Sequence, residues 1–233
     1  MALKNVKIWE ARARTGQTPA LPRAVFTRPR IFSMTYETFF QLLTSTESPV
    51  VLLEGTRALP DADAPKLTAL ATRLARAFPA VRFRTGNATG SDEAFAAGVA
   101  CVDPTRIEYV LPYAGHGKGR RAVDSPATGL DELPSGTVAA AAATTAAVSP
   151  KYRRATESYR DQKASHRERA IAQMILRDTV KVTGAGTLVR PTAGIFYVNS
   201  ESPGDGGTGH TMRVCKAKGV PAITQFEWIS WSI

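Results

Sequence analysis

The sequence has few cysteines and histidines and no long apolar run, and each shortage excludes a class of protein. Two cysteines, Cys101 and Cys215, occur among 233 residues, which is too few for a disulfide framework and lacks metal-site spacing. No stretch approaches the roughly 18 to 20 uninterrupted apolar residues of a membrane span. Lys4 and Lys7 are not followed by the apolar segment of a secretory signal. These absences predict a cytoplasmic protein without a metal or other cofactor and without membrane contact.

Apolar residues are still abundant enough for a core, because 43% of the chain is hydrophobic and 21% is charged. This balance excludes wholesale disorder and suits one domain with an extension. The 30 Lys and Arg against 20 Asp and Glu give a net charge of +10, which favours anionic partners. Residues 1–30 hold seven basic residues and one acidic residue. Much of the excess charge therefore belongs to a predicted basic extension at 1–48 and not to a pocket.

Short apolar runs alternate with stretches of helical spacing from residue 49 onward. The runs at 49–54, 81–84 and 107–112 predict strands, and the segments 64–78 and 92–100 predict helices. Such a series predicts the α/β class: a Rossmann-like, mostly parallel sheet flanked by helices, spanning 49–233.

The remaining segments are assigned by the same signals. We expect a short helix at 36–43, a long insertion after the third strand at about 114–150 with a helical patch at 138–148, and a charged helix at 151–182. We also expect a strand at 194–198, a glycine-rich loop at 202–209, a helix at 211–218 ended by Gly219, and a last strand at 220–224.

Three of the predicted strands are followed by glycines and polar residues. After the first come Gly55, which permits a sharp turn, then Thr56 and Arg57, whose planar guanidinium suits a phosphate. A solvated turn with a surface arginine is the alternative. Parallel strands place such loops at one edge of the sheet, where ligands bind in open α/β folds.

The loop after the second predicted strand also opens a helix. Its glycines, Gly86 and Gly90, expose backbone N–H groups where the helix N-terminus favours an anion. Ser91 or Asp92 caps the helix, and Asn87 is a further candidate ligand contact. Because the charge of Asp92 opposes phosphate, its carboxylate is expected to accept from a ribose hydroxyl or from a backbone amide.

The segment 202–210 is the strongest candidate, with four glycines in nine residues between a strand and a helix. A purely structural connection needs one or two glycines, so four indicate close approach to a ligand, such as a phosphate above the helix N-terminus. The pattern is not a P-loop, since no Gly-Lys-Ser/Thr follows. His210 beside it is a candidate for phosphate contact, for acid–base chemistry or for helix capping.

Three segments together resemble the SLOG superfamily: 53–57 (Leu-Glu-Gly-Thr-Arg), 84–95 (Arg-Thr-Gly-Asn-Ala-Thr-Gly-Ser-Asp-Glu-Ala-Phe) and 204–213 (Gly-Asp-Gly-Gly-Thr-Gly-His-Thr-Met-Arg). That superfamily joins the Rossmann domain of DNA-processing protein A to the LOG phosphoribohydrolases, and many small members occur in phages and mobile elements. The resemblance implies a nucleotide ligand, a homo-oligomer, a companion loop at 85–92 and a phosphate loop made of Gly206, Gly207, Thr208 and Gly209.

One departure from the LOG pattern affects the expected activity. The phosphoribohydrolases have Pro-Gly-Gly-x-Gly-Thr-x-x-Glu, whose glutamate supports cleavage of an N-glycosidic bond, but Thr211 stands at that place here. A threonine is no general base at neutral pH. Hydrolysis would need another acid–base group, and the candidates are Asp92, Asp205 and His210.

Three functions therefore follow from the sequence. The leading one is binding of a nucleotide or nucleotide-derived ligand by a sensor, sequestering or regulatory protein. The second is a LOG-like hydrolase on the same fold. The third is DNA binding through the basic segments 12–30 and 118–121, with strong salt dependence.

Overall fold

The computed structural model describes residues 34–159, 161 and 163–232, so the basic segment 12–30 lies outside the described residues. The strands are β1 (Val50–Gly55), β2 (Arg82–Thr85), β3 (Ile107–Leu111), β4 (Ala127–Gly129), β5 (Ala193–Tyr197) and β6 (Ala222–Thr224). They pair in parallel, in the order β4-β3-β2-β1-β5-β6. The predicted Rossmann-like α/β class is confirmed.

Helices cover both faces of this sheet. They are α1 (Tyr36–Thr44), α2 (Ala64–Ala77), α3 (Ser91–Ala100), α4 (Ser135–Val148), α5 (Arg153–Glu157), α6 (His166–Thr183), α7 (Gly206–Lys218) and α8 (Gln225–Trp228). None of these described helices has the length and apolar character that a membrane crossing needs.

The central strand β1 contributes side chains to the hydrophobic core on each face of the sheet. Its apolar residues alternate between faces, as strand geometry requires. Val51 and Leu53 pack with residues of α1, α2 and α3, whereas Leu52 packs with residues of α6 and α7. Every residue of β1 is buried, so the strand fixes the position of the loop that follows it.

The segment 114–150 adds structure that the sequence did not predict. Strand β4 extends the sheet beside β3, with Tyr109 opposite Ala127. Its three residues, Ala-Thr-Gly, carry no apolar pattern that would have revealed them. The expected helical patch is α4, whose buried Val138, Ala141 and Thr145 lie on one side.

The expected single helix at 151–182 is wrong, because the chain forms α5 and α6 there. A capping box starts α6: the Ser165 hydroxyl accepts from the Glu168 N–H at 3.2 Å, and the Glu168 carboxylate accepts from the Ser165 N–H at 2.9 Å. The second half of α6 is buried against the sheet.

The glycine-rich loop is shorter than expected, because α7 begins at Gly206 and not at Thr211. Close packing explains the difference: a Cβ on Gly209 would overlap the Gly204 carbonyl. The Gly204 carbonyl also accepts from Arg213 Nη1 at 2.8 Å, which holds the preceding turn against the helix. The predicted cap at Gly219 is confirmed by its left-handed φ of 67°.

Candidate functional site

A cleft of about 430 Å³ lies at the carboxyl ends of β1 and β5, beside the start of α7. The predicted site residues that line it are Gly55, Thr56, Arg57, Asp92, Asp205, Gly206, Gly207 and Thr208. Residues that were not predicted as site residues also line it: Glu54, Ala88, Arg177, Asp178, Asn199, Ser202 and Pro203. The structure thus brings parts of all three predicted loops to one place.

The first turn of α7 presents free backbone donors to the cleft. The N-cap residue Asp205 makes no side-chain capping hydrogen bond. The Gly209 N–H donates to the Asp205 carbonyl at 2.9 Å, whereas the N–H groups of Gly206, Gly207 and Thr208 have no acceptor among the described residues. Such donors, at the positive end of the helix dipole, form an anion site.

Arg57 is an exposed cation at the same cleft. Among the described residues, its guanidinium makes no ion pair or hydrogen bond, so its donors remain available. The loop that carries it is fixed, since the Thr56 N–H donates to the Tyr197 carbonyl at 2.9 Å. The Thr56 carbonyl in turn accepts from the Ser91 hydroxyl at 2.8 Å.

The floor of the cleft is a buried ionic cluster on β1 and α6. Lys181 Nζ lies 2.6 Å from Glu54 Oε2 and 2.9 Å from Asp178 Oδ1. Arg177 Nη2 pairs with Asp178 Oδ1 at 3.0 Å, and Arg177 Nη1 donates to the Gly86 carbonyl. Arg177 Nε has no partner among the described residues. The floor of the cleft therefore has one buried N–H donor without a hydrogen-bond acceptor among the described residues.

Burial and charge together decide where protons lie in this cluster. Burial alone would raise the pKa of the Asp178 carboxyl, but Arg177 and Lys181 outweigh it and the pKa lies below its usual value. Burial raises the pKa of Glu54 to about 8, against the opposing effect of Lys181. Asp92 and Asp178 add to that rise by repulsion. Burial and charge thus act in opposite directions on these two carboxyl groups, raising the pKa of Glu54 and lowering that of Asp178.

The Thr211 side chain connects Glu54 to the first turn of α7. The Thr211 hydroxyl lies 2.9 Å from Glu54 Oε1 and 3.0 Å from the Gly207 carbonyl. The Thr211 hydroxyl is the donor in both contacts, and because it has one proton, the two acceptors share it. A carboxyl group from β1 therefore contacts the side chain at position 211 of α7.

The Asp92 carboxylate holds two loops together. Its oxygens accept from the backbone N–H groups of Gly55 at 3.2 Å, Gly86 at 3.1 Å and Ala88 at 3.3 Å. Of the two uses that the sequence left open for Asp92, the structure shows the backbone amides. The carboxylate is buried beside the cleft and fixes the relative positions of the loops after β1 and β2.

The other predicted site residues do not line the cleft. Asn87 Nδ2 donates to the Gly117 carbonyl at 3.1 Å, and Ser91 is fully buried. Gly90 is the N-cap residue of α3, so the expected cap at Ser91 or Asp92 is wrong: both residues lie inside the helix, and no side chain caps it. Gly86 and Gly209 are buried against neighbouring groups.

His210 is also fully buried and does not line the cleft. Its Nδ1 lies 2.9 Å from the Ser149 hydroxyl and its Nε2 lies 2.9 Å from the Thr179 hydroxyl. Burial lowers the pKa of His210 to about 4. A neutral imidazole donates at one nitrogen and accepts at the other, which matches two hydroxyl partners.

Arg177, Asp178 and Lys181 were missed because α6 looked like a solvated charged helix. One signal was available: these three charges lie among four apolar residues and one threonine in the stretch 175–182. Charged residues in such a stretch are buried only when they are paired.

No family model matches this chain, and no curated protein matches it. One solved structure is similar. It is DNA processing protein A from Helicobacter pylori, described for its mode of binding single-stranded DNA. The identity is 12%, the TM-score is 0.43, and the match covers 79% of this chain and 67% of that one. A likeness at this level assigns neither a family nor a function, so the resemblance to the SLOG superfamily stays a prediction.

Proposed function

We propose that the cleft binds a nucleotide or nucleotide-derived ligand and that the protein acts through this binding, as a sensor, sequestering or regulatory protein. The observation that carries the proposal is a set of three N–H groups at the start of α7, on Gly206, Gly207 and Thr208. They have no acceptor in the part of the chain that the structure describes. A phosphate oxygen is the ligand atom that best fits such donors.

Arg57 supports the same assignment from the opposite loop. Its unpaired guanidinium can add a charge-assisted, bidentate contact to a phosphate. Asn199 and the carboxylate of Asp205 line the same cleft and can accept hydrogen bonds from sugar hydroxyls. The cleft therefore offers separate partners for a phosphate and for a sugar.

The proposal predicts that an acidic side chain in the first turn of α7 blocks the ligand. We expect Thr208→Glu to weaken nucleotide binding at least tenfold, since its carboxylate competes with phosphate for the same amides. A negative charge in the first turn of a helix is favourable for the helix itself, so folding should be retained. The measurement is calorimetric titration with nucleoside mono- and diphosphates.

Thr137→Glu is the matched control. Thr137 occupies the same third position of α4 and is half-buried like Thr208, but it does not line the cleft. We expect the affinity of Thr137→Glu for nucleotides to stay within twofold of the wild-type value. Equal affinities for both variants and the wild type would contradict the placement of the phosphate.

A second candidate function is hydrolysis of a nucleotide N-glycosidic bond, and the Glu54 carboxyl group favours it. A group with a raised pKa at the cleft floor can donate a proton, as a general acid must. Of the acid–base candidates from the sequence, Asp205 is exposed at the cleft, whereas Asp92 and His210 are engaged in the contacts described above. Release of a free base from a bound nucleotide would identify this activity.

A further inference from the structure

A second, smaller cavity of about 180 Å³ adjoins the cleft. Its titratable lining residues are Arg57, Arg120, Arg177 and His116, and no carboxylate of the described residues lines it. The cleft, in contrast, is lined by four carboxyl groups. Arg57, Ala88 and Arg177 line both cavities, so one ligand can extend from the cleft into the smaller cavity, here called the basic pocket.

Contacts within the protein hold Arg120 and Arg177 of the basic pocket, whereas the Arg57 guanidinium makes none among the described residues. Arg177 is 4% exposed, and its Nε has no partner among the described residues. Arg120 Nη2 donates to the Asn87 carbonyl at 3.2 Å, and Asn87 Nδ2 donates to the Gly117 carbonyl at 3.1 Å. The loop carrying Arg120 is thereby tied to the loop after β2.

His116 adds a neutral donor to this group. Burial lowers the pKa of its imidazole, and the charges of Arg177, Arg120 and Arg57 lower it further. The lining of the pocket places the three guanidinium groups around this imidazole. Arg177 is paired with Asp178, whereas Arg57 and Arg120 have no carboxylate partner among the described residues. Such an excess of positive charge favours an anion.

We infer that the ligand carries a second phosphate group, held in the basic pocket by Arg57, Arg120 and Arg177. The inference rests on the proposed function and specifies its ligand class: a nucleoside diphosphate or dinucleoside diphosphate, and not a monophosphate. The first phosphate would contact the amides of α7, and Arg57 and Arg177 lie between the two positions.

The inference is tested by comparing nucleotides that differ in one phosphate. We expect the full-length protein to bind the diphosphate of its preferred nucleoside at least tenfold more tightly than the monophosphate. In Arg120→Ala the ratio of these two affinities should fall toward one, because the second phosphate loses a guanidinium partner. The probes are the mono- and diphosphates of adenosine, guanosine, cytidine and thymidine, titrated calorimetrically.

Lys118→Ala is the control, since Lys118 is an exposed cation two residues away that does not line the pocket. It removes the same charge, and we expect it to keep the wild-type ratio. Mono- and diphosphates of equal affinity would overturn the inference while leaving the proposed function standing. Binding of none of the eight nucleotides would overturn both. Tighter binding of the 5′-phosphorylated dinucleotide of thymidine than of any diphosphate would assign the two positions to an oligonucleotide and overturn the stated ligand class.

Discussion

Asp92 and His210 have acid–base side chains and lie next to the predicted ligand loops in sequence. In the structure, hydrogen bonds within the protein engage both side chains. Asp92 accepts from three backbone amides, and His210 lies between two hydroxyl groups. Their residue types and positions in the chain could not reveal this, since both partners of His210 come from distant segments, at Ser149 and Thr179. In contrast, the placement of Arg57 at the sheet edge was predictable from the strand before it.

The depressed pKa of His210 predicts a loss of stability in mild acid. Its pKa lies at about 4 in the folded protein and at about 6.5 when unfolded, so the unfolded state binds more protons between these values. The contribution of His210 to the free energy of unfolding is fully present above about pH 6.5 and is lost as the pH falls toward 4. From pH 7.5 to pH 5, linkage gives a loss of about 2 kcal/mol in the free energy of unfolding.

The measurement is urea unfolding of the wild type and of His210→Asn at both pH values. We expect the variant to be less stable at pH 7.5 but to lose about 2 kcal/mol less than the wild type on acidification. His166→Asn, at an exposed position of α6, tests whether removal of any imidazole has this effect. An identical acid-induced loss in the wild type and in His210→Asn would contradict the buried, neutral imidazole.

Among the secondary-structure elements, the apolar sequence pattern predicted the strands well, whereas the polar pattern predicted helix boundaries poorly. β1, β2, β3 and β5 were predicted from short apolar runs, and their register on the sheet brings the loops together. β4 has no such run, and the break between α5 and α6 depends on a capping box in a charged segment. The start of α7 was missed because glycine has a low helix propensity, which tertiary packing overrides here.

The packing of α7 against its preceding turn predicts an unusual response to alanine. In a helix interior, glycine to alanine normally stabilises by about 0.5–1 kcal/mol. Gly209→Ala should instead destabilise by more than about 1 kcal/mol, because the new methyl group would overlap the Gly204 carbonyl. Gly136→Ala in α4, where a Cβ meets nothing within 4 Å, should be neutral or stabilising. Thermal unfolding of both variants checks this, and a stabilised Gly209→Ala would contradict the described start of α7.

At the scale of the whole molecule, the parallel sheet determines where a ligand can bind. All described strands point their carboxyl ends to one edge, so the loops after β1, β2 and β5 meet there, as the sequence predicted. The buried ionic floor could not be predicted in the same way, because it joins β1 to α6 across more than a hundred residues. The homo-oligomer and the contact with nucleic acid stay predictions.

Native mass spectrometry of the full-length protein with a nucleotide mixture shows whether the cleft holds an intact nucleotide. We predict an adduct at the full mass of a nucleotide that persists for hours, with no free base in solution. Free base together with retained ribose phosphate would show that the ligand is cleaved and would select the hydrolase. Absence of any nucleotide adduct would contradict the account.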